Sequence, residues 1–110
     1  MTDRELLEFA AKAAEYEVEL TSPYEAEING EWHEWNPLEN DGDAFRLMVL
    51  LNIYPVPSVN ASKNDGTVSV YYPVDLYGQE QSIRERINGD HLAATRRVIV
   101  RVAAEIGKTK

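Results

Sequence analysis

The sequence predicts an α+β domain: a mainly antiparallel sheet of about four to five strands packed with about three helices, in the order α-ββ-α-βββ-α. Three observations carry this. Helical hydrophobic periodicity opens and closes the chain, in "TDRELLEFAAKAA" and "GDHLAATRRVIVRVAAEIG", with a third helical run, "NDGDAFRLMVLLN", between them. Alternating segments bounded by turn residues fill the rest. The composition, 44% hydrophobic and 27% charged over 110 residues, is that of one folded domain, residues 1–110, with a modest core. Helices laid on antiparallel strands satisfy that order most simply.

The first helix starts at Thr2. Thr2 and Glu5 have the S/T-x-x-E spacing of a capping box, which pairs two backbone donors that the helix leaves free. Leu6, Ala10 and Ala13 share one face, with Leu7, Ala11 and Ala14 beside them. So many alanines imply close approach to a sheet or another helix.

"YEAEINGEWHEW" reads as a hairpin turning at Asn29-Gly30, because both residues tolerate the positive φ of a two-residue loop. That register sets Ile28 opposite Glu31, Glu27 opposite Trp32, Ala26 opposite His33, Glu25 opposite Glu34 and Tyr24 opposite Trp35. One face then holds Tyr24, Ala26, Ile28, Glu31, His33 and Trp35 and is expected to meet the core. The other holds Glu25, Glu27, Trp32 and Glu34.

In the middle helix, Asp41 or Asp43 is the expected cap, and Ala44, Leu47, Met48 and Leu51 the buried stripe. "YPVP" is expected to end it, since proline cannot continue a helix. "VPSVNAS" and "TVSVYYP" around "KNDG" read as a second hairpin, with Val68, Val70 and Tyr72 on one face. "SIRERI" is a further strand with Ile83 and Ile87 inward. The last helix is capped by Asp90, buries Leu92, Thr95, Ile99, Val102 and Ile106, and is expected to stop at Gly107.

Charge is unevenly placed. The net charge is −8, yet from Arg84 onward seven basic residues face three acidic ones. Between Lys12 and Arg46 there is no Lys or Arg and there are ten Asp or Glu. Such asymmetry implies a surface of two signs. Overall acidity disfavours nucleic acid and anionic membranes as partners, because long-range repulsion opposes the encounter. The absence of cysteine removes disulfides, thiol nucleophiles and thiolate metal sites together. The acid-studded start does not read as a signal peptide, and "LMVLL" is far too short to span a bilayer.

Few residues assemble into a recognisable chemistry. Glu31 and His33 share a strand face and offer two metal ligands, but two do not make a site. "ENDGD" lacks the alternating acids of a calcium loop and fits a helix start, where partial positive charge favours carboxylates. His91 sits just inside the last helix. No G-x-S-x-G elbow, phosphate-binding glycine loop or H-E-x-x-H occurs. The expectation is therefore a non-enzymatic protein with no cofactor, no metal and no catalytic residues. A small metal-binding or enzymatic domain around His33 or His91 is the alternative.

Two surfaces remain. Arg96, Arg97 and Arg101 form a basic strip on the last helix, open to three uses: a solvated face, phosphate contact, or contact with the acidic hairpin in the same or a neighbouring chain. Glu25, Glu27, Trp32 and Glu34 form the expected protein-binding set, with Trp32 as the interaction residue ringed by charge. A narrower alternative is an acidic surface that mimics DNA phosphates and inhibits a host nuclease or DNA-binding protein. Opposite-signed ends also permit a homo-oligomer, docked head to tail.

Two stretches carry a resemblance. "WNPLENDGDAFRLMVLL" and "DHLAATRRVIVRVAAEIG" are similar to a group of small phage and prophage proteins of unknown function. These share a W-N-P-L box, a D-G-D-A-hydrophobic-R-L helix start and an A-A-T-R-R-hydrophobic-I-V-R helix. Residues 53 to 88 are not matched, and Phe45 stands where the group has an aliphatic residue. The partner expected for the acidic hairpin is a host or phage protein; the resemblance itself implies phage or prophage origin and residence in the bacterial cytoplasm. It implies no activity.

Overall fold

The computed structural model describes residues 1–21, 23–60, 65–73 and 80–110, with side chains except those of 57–60, 65, 71–73 and 80–81. Its elements are α1 (Asp3–Ala14), β1 (Glu17–Glu19), β2 (Glu25–Ile28), β3 (Glu31–Glu34), α2 (Asp41–Leu51), β4 (Val56–Asn60), β5 (Asp65–Pro73), β6 (Glu80–Arg86) and α3 (His91–Lys108). The fold is α+β. Instead of the one expected sheet of four to five strands, the described strands form two antiparallel three-stranded sheets, ordered β1-β2-β3 (sheet A) and β4-β5-β6 (sheet B), because β1 adds a strand before the first hairpin. No described helix is long and apolar enough to cross a membrane.

Helix α3 is the spine. It packs on α1, on α2 and on strands β5 and β6 of sheet B. A helix covered on three sides needs a wide apolar face, and the buried set is accordingly broad: Ala94, Val98, Ile99, Val100, Val102, Ala103, Ala104 and Gly107. Leu92, expected inside, is 61% exposed, while Ile99 and Val102 are buried as expected. Gly107 does not stop the helix, which runs on to Lys108. It is buried instead where α1 crosses, and a Cβ there would overlap the Phe9 carbonyl oxygen. The alanines of α1 serve the same close approach, with Ala10, Ala11 and Ala13 all buried.

The Thr2–Glu5 capping box forms. Helix α1 ends on Glu15 in the left-handed region (φ 62°), which turns the chain into β1. The first hairpin adopts the expected register in the four pairs from Ile28–Glu31 to Glu25–Glu34, and beyond them the Trp35 N–H donates to the Tyr24 carbonyl at 2.8 Å. Asn29 and Gly30 both take positive φ. At the start of α2 the cap is Asn40, whose side chain accepts the Asp43 N–H at 2.9 Å. Asp41 and Asp43 lie inside the first turn, where they favour the helix electrostatically. The stop comes from left-handed Asn52 (φ 56°), three residues before the first proline of "YPVP". The second hairpin pairs Val59 with Gly66 and Asn60 with Asp65, so Asp65 and Gly66 of the expected "KNDG" turn belong to β5; residues 61–64 and the Tyr72 side chain lie outside the described residues. Val68, Val70 and Ile87 are buried as expected.

Candidate functional site

Sheet A presents a carboxylate face. Residues directly opposite in neighbouring strands point to the same side, so the pairing fixes which side chains share a face. Glu19 pairs with Glu25 and Glu25 with Glu34, which makes one row across three strands. Glu17 pairs with Glu27 and Glu27 with Trp32, which makes the next. The outer face thus holds five glutamates and one tryptophan. Strand β1 supplies two of them, Glu17 and Glu19, which the hairpin alone does not reveal. The signal was present as the alternation E-V-E after the first helix.

Among the described residues, none of these five carboxylates pairs with a cation. Trp32 is 46% exposed and stands beside Glu27. Like charges directly opposite one another oppose strand pairing. With neighbouring strands ~5 Å apart, the whole row falls within about one screening length at physiological salt. The sheet holds because its other side is anchored. Ala26 and Trp35 are buried, and the Trp35 ring meets Tyr16 edge-on at 6.1 Å. Of the inner-face residues only these two are fully covered; Tyr24 and Ile28 are half-buried, and Glu31 and His33 are exposed.

The basic strip has a different fate. Arg96 donates to the Leu38 carbonyl at 2.9 Å and to Asp41 at 2.6 Å. Arg97 reaches Asp3 at 3.2 Å and Glu85 at 3.7 Å. Arg101 donates to Glu85 at 2.6 Å and to the Arg84 carbonyl at 3.0 Å. All three guanidiniums are committed within the chain, to acids other than those of the hairpin. They fasten α3 to α1, to the start of α2 and to sheet B. The sequence could not show this, because each partner is distant along the chain.

Between the inner side of the hairpin and α2 lies a groove of about 900 Å³, lined by Tyr24, His33, Trp35, Asn36, Asp43 and Arg46 among others. Its polar groups are largely occupied with structure. Asp43 accepts the Asn36 N–H at 2.9 Å and pairs with Arg46 at 3.2 Å. Asn36 in turn accepts the Leu38 N–H at 3.1 Å. The W-N-P-L residues and the start of α2 thus form one hydrogen-bonded joint. His33 lies 3.6 Å from Glu31 with both side chains exposed, and among the described residues no three His, Asp or Glu converge on one point. No protein family, curated protein or solved structure matches the chain.

Proposed function

We propose that this chain is a non-enzymatic binding protein whose outer sheet A face captures a basic surface of another protein. The observation that carries the proposal is the contrast between the two charged surfaces. The arginines of α3 are satisfied internally, whereas Glu17, Glu19, Glu25, Glu27 and Glu34 have no cationic partner among the described residues. Opposed like charges are tolerated at a cost in stability where binding uses them. Trp32 supplies the apolar contact that such a surface otherwise lacks, and tryptophan is the residue type most enriched at binding hot spots. The reading is compatible with the phage or prophage origin and the bacterial cytoplasm that the resemblance implies, and adds to them an accessory role.

The test is affinity capture from bacterial lysate with the native chain and with Trp32→Ala, Glu25→Lys and Glu34→Lys. The native chain should retain a basic protein that all three variants lose while staying folded, with melting temperatures not materially below the native one. Identical capture by all four removes the proposal. The DNA-mimic reading is the narrower form, favoured by the carboxylate row across three strands. It expects the captured protein to be displaced by duplex DNA and by added salt, and capture that is insensitive to salt counts against it.

A further inference from the structure

Helix α2 has more apolar surface than the core uses. From Ala44 to Leu51 its only polar residue is Arg46, and a helix apolar on every side is one enclosed on every side. Only one side is enclosed here. Ala44 and Leu47 are 2% and 1% exposed, while Phe45, Val49 and Leu50 are 61%, 50% and 53% exposed. Phe45 and Val49 are one turn apart and adjoin on the outer face. Tyr54, just past the Asn52 cap, is 57% exposed.

We propose that this outer face of α2 is a homodimer interface, and that its occupant is the same face of a second copy of this chain. Two arguments select that occupant. The first is charge. On a chain of net charge −8, residues 44–64 contain no carboxylate. Arg46, the one charge within the helical patch, pairs with Asp43. A patch without free charge selects no oppositely charged partner, and here two acidic copies can meet without setting carboxylate against carboxylate. Two-fold symmetry then brings the patch onto itself.

The second argument is area. Taking about 200 Å² for a whole aromatic side chain and somewhat less for an aliphatic one, these four residues expose roughly 400 Å². That lies at the upper end of what monomers leave uncovered. Doubled over two copies and extended by a polar rim, it reaches the ~1,000 Å² that a specific interface needs. The dimer is held by apolar burial, unlike the head-to-tail charge docking that the sequence suggests. The arginines which that docking would use are already paired.

Sedimentation equilibrium of the full chain decides this independently of the acidic face. The native chain should sediment as a dimer at about 100 µM, with a dissociation constant unchanged or tightened between about 50 and about 500 mM NaCl. Phe45→Glu and Val49→Glu should each weaken dimerisation at least tenfold, with native helical circular dichroism and with lysate capture through sheet A retained. A monomeric native chain overturns the proposal. So does a dimer that dissolves as salt rises, or one that persists in both folded variants.

Discussion

Arg96 donates from Nε to the Leu38 carbonyl at 2.9 Å and from Nη1 to Asp41 at 2.6 Å, so one side chain on α3 holds both the loop before α2 and its first turn. The Arg96 side chain is only 17% exposed whereas that of Asp41 is 62% exposed, and this splits the two bonds energetically. The bond to the carbonyl is charge-assisted and sheltered; the ion pair faces water. Arg96→Lys should cost about 1.5–3 kcal/mol, because an ammonium cannot reproduce the two-pronged geometry. Asp41→Asn should cost at most about 1 kcal/mol. Urea denaturation of both variants checks the split, and equal losses would show the ion pair to matter more than the carbonyl.

Gly107 offers a reversal of sign. In an ordinary helix interior, glycine to alanine gains about 1 kcal/mol. Here the new methyl would meet the Phe9 carbonyl where α1 crosses α3. Gly107→Ala should therefore destabilise by about 1–3 kcal/mol or more, as overpacking does. A higher urea midpoint for Gly107→Ala would show that the helices are not in contact there.

Glu5 gives the pH dependence. The backbone N–H and hydroxyl of Thr2 both donate to its carboxylate and hold its pKa below the ordinary glutamate range. Folding favours the ionised form, so the contribution is fully present above pH ~4.3 and is lost as pH falls through the lowered folded value. Glu5→Ala should be less stable than the native chain at pH ~7, with a gap that narrows towards pH ~3. A gap independent of pH would mean the charge does not contribute.

The parts of the fold legible in the sequence were those fixed by neighbours in the chain. Thr2 and Glu5 announce α1, and Asn29-Gly30 sets the register that aligns Glu25 with Glu34. What stayed hidden depends on distant contacts. β1 is three residues long and counts as a strand only because β2 pairs with it, so Glu17 and Glu19 were missed at the acidic face. Gly107 resembles a helix stop until α1 is laid against it. Leu92 fits the helical stripe by spacing, but it falls outside the span that α1, α2 and sheet B cover. At α2 three neighbouring residues, Asn40, Asp41 and Asp43, can all cap, and local sequence does not choose among them.

The sheet A face carries like charge that no cation among the described residues compensates, and the salt-dependent stability of Glu25→Lys tests this most directly. Glu25 lies opposite both Glu19 and Glu34, so a lysine there turns two repulsions into two attractions. At low salt the variant should be more stable than the native chain by about 0.5–1 kcal/mol, and the advantage should fade as NaCl is raised to about 500 mM. A variant that is less stable at low salt, or whose difference ignores salt, would mean that Glu25 is already neutralised within the fold and that the face is not held open for a partner.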